Sequence, residues 1–289
     1  MNFAPTPLAD WKAARQTLDF EGHDIAYWTA GTGRPLLLVH GYPTAAWDWS
    51  CIWSELAKTH RVIACDMLGF GFSAKPKNGY SIHRQADVQA CLLKHLGISE
   101  FDAVVHDYGV SVGQEMLARQ IEGTGFSGLG KIGFLNGGLF PEQHRKRPIQ
   151  KLGISPLGWL IGYIMNRKRF AARFTEIFGP HTQPSEEELD TFWQLITHNN
   201  GLKRMHTLLH YIADRKQHRN RWVGARETTE TPVMVINGGL DPVSGKHLYD
   251  TVRERLPQIE ALLLEDIGHY PQTEAPARVF LAIARFMAP

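Results

Sequence analysis

Cysteine is scarce in this chain: Cys51, Cys65 and Cys91 are the only three in 289 residues, an odd number without the spacing of a zinc site or a disulfide framework. Each falls in a stretch expected to be strand or helix, where a small buried thiol is the simplest reading, and no metal or cofactor is implied. Excess charge is also lacking. The formal net charge is +2, which argues against nucleic acid or another polyanion as partner. No apolar run approaches the roughly 20 residues needed to cross a bilayer. The opening stretch from Met1 to Asp10 has neither a basic start followed by an apolar core nor a cleavage site, so a cytoplasmic chain without a transmembrane segment is expected. Internal repeats and low-complexity tracts are missing too, which leaves an ordinary globular domain.

What is present is 43% hydrophobic content, spread over a length that α/β folds commonly use for a single domain. Short apolar runs predict strands over 16–20, 24–28, 36–40, 61–65, 103–106, 131–135, 233–237 and 261–265, and amphipathic patterns predict helices over 47–58, 82–96, 110–120, 245–256 and 276–287. This alternation reads as a doubly wound, mostly parallel sheet of eight strands. The rhythm stops between 136 and 231, where helical, aromatic-rich sequence takes over. The expected organisation is a core of residues 1–135 and 232–289, with a helical cap, 136–231, inserted over the strand ends.

Chemistry-bearing residues sit where the strands end. The run FDAVVHDYG, Phe101 to Gly109, carries Asp107 onto a sharp turn with a helix behind it. Val105 stands where such an elbow usually has its first glycine, so Gly109 alone relieves crowding. Taken alone, an aspartate between strand and helix is more simply a helix cap. Its partners change that reading. The strand over 233–237 runs into GGLDPVSG, placing Asp241 in a loop, and the strand over 261–265 runs into DIGHYP, placing His269 on a loop from which an imidazole can reach both carboxylates. Among 14 histidines, His269 combines a post-strand loop with the chain order nucleophile, acid, histidine. Upstream, a buried-type strand enters the loop His40-Gly41-Tyr42-Pro43, and the backbone N–H groups of Tyr42 and Tyr108 are the expected oxyanion donors.

The residue type at the elbow narrows the reaction. A carboxylate attacking an ester carbonyl forms only an anhydride, whereas attack on an sp³ carbon bearing oxygen or halide forms an alkyl ester that water can cleave. Epoxides and alkyl halides are therefore favoured over esters.

These pieces, with Asp66 to Ser73 (DMLGFGFS), resemble the epoxide hydrolase and haloalkane dehalogenase branch of the α/β-hydrolases. From about Phe20 to Ala277 the chain is similar to the mesoderm-specific transcript family, on Asn136 to Arg145 (NGGLFPEQHR), Phe178-Gly179-Pro180, Tyr211 to Lys216 (YIADRK), Arg221 to Ala225 (RWVGA) and His269 to Gln272 (HYPQ). The resemblance implies an α/β-hydrolase fold, a cis peptide at Tyr42-Pro43 that aims the Tyr42 amide inward, and a hydrolase of epoxide type.

Opening an epoxide releases an alkoxide, which needs a positioned acid worth about 10²- to 10⁴-fold; a phenol, with pKa of about 10, stays protonated and can donate. The resemblance implies two such donors from the cap, usually tyrosines, with histidine replacing one in some members. Tyr211 lies at the matching position and is the first expected donor, with core packing as its ordinary alternative. His144 and Tyr163 compete for the second, His144 being slightly preferred, although it begins a basic run, 144–147, that reads equally as a solvated face. The basic stretches 167–169 and 215–221 are expected to coat the outside of the cap.

Haloalkane dehalogenases hold the departing halide with side-chain N–H donors, one typically a tryptophan directly after the nucleophile; this chain has Tyr108 there. Asn136, at the end of the strand before the cap, offers an amide to a halide or hydroxyl. A haloalkane or haloacetate dehalogenase is thus the alternative, and a ligand-binding protein that keeps the hydrolase frame without turnover is the second. The expected partner is a small apolar epoxide or halide, and the expected state a monomer or homodimer.

Overall fold

A computed structural model describes residues 1–288. Its strands are β1 (Gln16–Phe20), β2 (His23–Ala30), β3 (Arg34–Val39), β4 (His60–Cys65), β5 (Phe101–His106), β6 (Leu129–Leu135), β7 (Val233–Gly238) and β8 (Glu260–Leu264). They hydrogen-bond in the order β1-β2-β4-β3-β5-β6-β7-β8. β1 and β2 form an antiparallel edge, and β4, β3, β5, β6, β7 and β8 run parallel. Every residue of β5 and β7 is buried, as expected of parallel strands covered on both faces. The charged Asp102 is tolerated inside β5 because Arg34 donates to it at 2.6 Å and the Lys131 amide at 2.8 Å.

Before the insertion come α1 (Leu8–Ala13), α2 (Ser50–Leu56), α3 (Ile82–His95) and α4 (Tyr108–Ile121). Between β6 and β7 no strand forms among the described residues; the chain passes through α5 (Pro148–Gly153), α6 (Ile161–Ile164), α7 (Arg167–Phe174), α8 (Glu186–Thr197), α9 (Met205–Leu208), α10 (Tyr211–Gln217) and α11 (Arg219–Thr228). After β7 follow α12 (Lys246–Arg255), α13 (Pro271–Glu274) and α14 (Pro276–Met287). α8 begins with a capping box, Ser185 against Glu188, and has three glutamates in its first turn to meet the helix dipole.

Helix α4 packs against α3 and α11, while α2, α13 and α14 pack together. The last helix of the insertion therefore runs along the flank of the core: Arg221 and Trp222 both reach the buried Glu115 of α4, Trp222 at 2.7 Å. A second anchor sits at the His269 loop, whose amide donates to the Ile177 carbonyl at 2.8 Å while Phe178 stacks on Tyr270 with ring centroids 5.2 Å apart. The first anchor ties the segment between β6 and β7 to the flank of the core, and the second holds it at the strand-end edge that carries the candidate residues. Cys51 and Cys65 are buried, but Cys91 is only half-buried on α3, so the expectation of a buried thiol fails there. Among the described residues no helix is long and apolar enough to cross a membrane.

Candidate active site

Because β3 and β5 to β8 are parallel, their carboxyl ends meet on one edge, and there the expected groups converge. Asp107 occupies a sharp turn between β5 and α4 with φ 48° and ψ −104°, a left-handed conformation that a non-glycine residue adopts only when its surroundings over-determine it. The surroundings do so. The Gly109 amide donates to the His40 carbonyl at 3.1 Å, and a Cβ at Gly109 would meet the carbonyl oxygens of Val39 and His40 at 2.6 and 2.8 Å, so α4 can approach β3 only with glycine there. The bulk of Val105 is accommodated from the other side: Gly113, one turn into α4, leaves the space that its own Cβ would contest with Val105 Cγ2 at 3.0 Å.

The Asp107 carboxylate is buried, with Oδ1 accepting the Tyr42 amide at 2.8 Å and Oδ2 lying 3.4 Å from His269 Nε2. The Tyr42-Pro43 peptide is cis. Tyr108 is the first residue of α4, so its N–H is among the helix's unpaired N-terminal donors. His269 Nδ1 is 2.7 Å from Asp241 Oδ2. Asp241 in turn accepts from the amides of Val243 (2.7 Å) and Ser244 (3.1 Å), the Ser244 hydroxyl (2.7 Å) and Asn136 Nδ2 (2.8 Å). Behind this row His106 Nε2 reaches the His269 carbonyl at 2.8 Å, and burial holds the His106 imidazole at about 3, hence neutral.

Burial works to raise both carboxylates, yet the hydrogen bond and charge of His269 outweigh it and hold Asp107 below the ordinary carboxylate range; the same imidazole keeps Asp241 low. Burial works to lower His269, but Asp241 and Asp107 together raise it above the ordinary imidazole range. The three groups titrate as one coupled set in which the two carboxylates favour the charged imidazole and the imidazole favours the charged carboxylates.

Asp107, His269 and Tyr42 open into a cavity of about 440 Å³ whose walls are mostly apolar, including Leu152, Met165, Phe170, Phe174 and Met205. Arg147, Arg169, Arg173 and Glu176 bring charge to its lining, with Arg147 and Arg173 sharing Glu176.

The expected ring-opening donors fare unequally. Tyr211 is buried one side chain back from the cavity wall, its hydroxyl accepting from Gln150 Nε2 at 3.4 Å and its ring against Tyr108 at 4.9 Å; Gln150 itself lines the cavity. His144 does not line the cavity either; its Nδ1 faces Arg215 Nη1 at 3.4 Å, its buried Nε2 has no partner, and burial brings its imidazole down to about 4. Tyr163 is misplaced by the sequence reading: it is 71% exposed, because its apolar run forms an outer corner of the insertion and not a pocket wall.

Two further expectations are corrected. Asn136 has no amide to spare, since its Nδ2 serves Asp241 and the Gly238 carbonyl while its Oδ1 accepts the Gly238 amide at 2.6 Å. Arg215, expected on the outside of the cap, is 2% exposed. Its Nε donates to Ser111 Oγ at 2.6 Å, its Nη2 to the Asp107 carbonyl at 3.2 Å, and its guanidinium lies over the Tyr211 ring at 4.5 Å. Gln150 and Arg215 are the neighbours of the site that sequence reasoning missed; a basic run on an amphipathic helix gives no sign of which arginine turns inward.

An eight-stranded sheet of this order, with an aspartate elbow and an acid–histidine pair at its strand ends, defines an α/β-hydrolase, and residues 34–120 match the alpha/beta hydrolase fold family. The chain is 39% identical over 284 residues to the mesoderm-specific transcript protein of Mus musculus, covering 93% of this chain and 84% of that protein. It belongs to the mesoderm-specific transcript family. A shorter stretch of 91 residues is 38% identical to the soluble epoxide hydrolase of Corynebacterium sp. (strain C12), covering 32% of each. In shape, the haloalkane dehalogenase DbeA-M1 loop variant from Bradyrhizobium elkanii superposes with a TM-score of 0.79 at 20% identity, over 94% of this chain and 95% of that one.

Proposed function

We propose that this α/β-hydrolase opens epoxides to vicinal diols through an ester on Asp107, with residues 136–231 serving as the cap of a core made from 1–135 and 232–289. The observation that carries the reading is the Asp107–His269–Asp241 row, with spacings of 3.4 and 2.7 Å, on the floor of an apolar cavity. Asp107 Oδ2 attacks the less hindered ring carbon and the carbon–oxygen bond breaks. Tyr211, assisted by His144, is the proposed proton donor to the departing oxygen, a role that requires the Gln150 side chain to swing from between the Tyr211 hydroxyl and the cavity. His269, supported by Asp241, then activates water against the ester carbonyl, and the Tyr42 and Tyr108 amides stabilise the oxyanion.

Two observations favour epoxide over halide. Tyr108 carries a phenol O–H where an indole N–H would stand and turns it into the protein, 1% exposed, and Asn136 is fully engaged, so neither of these two positions offers a side-chain N–H to a departing halide.

One turnover of styrene oxide in ¹⁸O-enriched water, followed by peptide mass analysis, tests the route. Heavy oxygen is expected in the peptide containing Asp107, because water attacks the ester carbonyl, while the diol keeps an unlabelled aspartate oxygen. Label found only in the diol would mean direct attack by water and would overturn the covalent mechanism. Halide release from bromoalkanes without diol formation from epoxides would favour dehalogenation, and stabilisation by ligand without product would favour a binding protein.

A further inference from the structure

Five large apolar side chains stand exposed within eleven residues beside the cavity: Ile154, Leu157, Trp159, Tyr163 and Ile164, at 41, 55, 49, 71 and 42%. Only nine large hydrophobic residues are exposed among the described residues, so more than half are concentrated in this one corner. Such a patch marks an interaction surface. Trp159 and Tyr163 meet edge to face at 5.8 Å, and their rings, apolar with one polar atom each, are the side chains best suited to a boundary between water and hydrocarbon. The patch is continuous with the cavity, since Ile164 belongs to both and Leu152 and Met165 continue the wall inward.

Charge decides between occupants. The patch is bordered by exposed Lys151, Lys168, Arg169 and Lys203, and among the described residues none of these four has a carboxylate within 4.0 Å. Arg169 donates to the Ile164 carbonyl, and Lys203 packs where a Cβ on Gly162 would meet its Cα at 3.1 Å. The neighbouring Arg167, by contrast, is neutralised by Glu186 and Asp190. Across 136–231, 15 lysines and arginines face 9 acidic residues, although the whole chain is nearly balanced at 31 to 29. A second copy of this chain would set the patch on itself about a two-fold axis and press these unpaired cations together. A surface of anionic headgroups reverses the sign.

We propose that this corner of the insertion docks on an anionic phospholipid bilayer, with Leu157, Trp159 and Tyr163 entering the headgroup region, so that a lipophilic substrate passes from the bilayer into the cavity. Docking is independent of the proposed chemistry; only the onward route to Asp107 rests on it. Sedimentation with vesicles of phosphatidylglycerol and phosphatidylcholine in equal parts is expected to carry down at least about tenfold more protein than phosphatidylcholine alone, and raising the salt should reverse it. Leu157→Ser with Trp159→Ser should abolish the binding, as should Lys168→Glu with Lys203→Glu, which leaves the apolar side chains in place and guards against misfolding of the first pair. Both double variants should keep wild-type turnover of a water-soluble epoxide. Equal sedimentation with both kinds of vesicle, or undiminished binding by either variant, would overturn the proposal. So would a solution dimer that the Leu157/Trp159 variant converts to monomer, which would make this face a contact between copies. Vesicle binding is read without turnover, so an unlabelled Asp107 in the heavy-water experiment would remove the chemistry and leave the docking intact.

Discussion

Arg215 lies 2% exposed behind the Asp107 turn and donates through Nη2 to the main-chain carbonyl of Asp107 at 3.2 Å. Among the described residues no carboxylate lies within 4.0 Å of this guanidinium, and its charge helps hold Asp107 ionised across the turn. Gly138 leaves room for it, since a Cβ there would meet Arg215 Nη1 at 2.2 Å. Arg215→Met should leave the Ser111 hydroxyl and the Asp107 carbonyl without their donor and strip the Tyr211 ring of its cation, costing about 1–3 kcal/mol in urea unfolding. Formation of the Asp107 ester should slow at least about tenfold, a loss of about 1.4 kcal/mol in transition-state stabilisation. Arg215→Lys should recover stability only in part, because an ammonium cannot serve Ser111 and the Asp107 carbonyl with the same fork. A methionine variant as stable and as reactive as the parent would show that the buried cation has no part in positioning the turn.

His269→Ala separates the two half-reactions. Attack by Asp107 needs no base, whereas cleavage of the ester does, so intact-protein mass spectrometry after mixing with an epoxide should show one added substrate mass that persists. Steady-state turnover should fall by about 10³-fold or more. Rapid multiple turnover without a trapped adduct would contradict the roles assigned to both residues.

The charge pattern predicts a pH dependence with a definite sign. In the resting protein burial lowers His269, but Asp241 and Asp107 raise it past neutrality, while His269 holds Asp107 low. Esterification makes Asp107 neutral and removes one of the two groups that raise His269, so the intermediate's imidazole releases its proton more readily than the resting one. Ester cleavage should therefore rise with pH through this lowered value. Ester formation should be flat from about pH 5 to 8, since the carboxylate is already ionised there. Quenched single turnovers resolve the two rates; formation that fails before cleavage on acidification would reverse the assignment.

The strands are legible because each is a short run closed by a turn signal, and the bounds of all eight, six parallel and two antiparallel, agree to within two residues. The Asp107, Asp241 and His269 row was legible for the same reason, since strand ends on one edge of a parallel sheet must come together. The insertion was not. Its helices are short, and α6 and α9 span only four residues each, too few for periodicity to say which side faces in. The pattern therefore gives the wrong side for Tyr163 in α6 and for Arg215 in the seven-residue α10. Asn136 shows a different limit: a strand-end amide looks available until the loop carrying Asp241, 105 residues away in sequence, folds back and occupies it. The helix α1 went unseen because six residues offer little pattern.

The absent first glycine of the elbow leads to a test by paired substitution. Val105 puts a branched side chain where α4 must come close, and Gly113 provides the room: its Cβ would meet Val105 Cγ2 at 3.0 Å, with Ile132 Cδ1 and Phe134 Cε1 at 3.1 Å. Gly113→Ala should gain about 1 kcal/mol from helix propensity, but overpacking against three side chains anchored in β5 and β6 costs about 1–3 kcal/mol. The net effect should be destabilising, by about 1 kcal/mol, and the shift of α4 should loosen the Asp107 turn at its first residue. Val105→Ala alone should also destabilise, through the cavity it leaves. Combined, the two changes should cost less than their sum by at least about 0.5 kcal/mol, because the new methyl occupies space that the valine vacated. A double-mutant cycle in urea measures this coupling. Strict additivity would mean that Ile132 and Phe134, not Val105, set the need for glycine at 113, and that the elbow tolerates its valine for another reason.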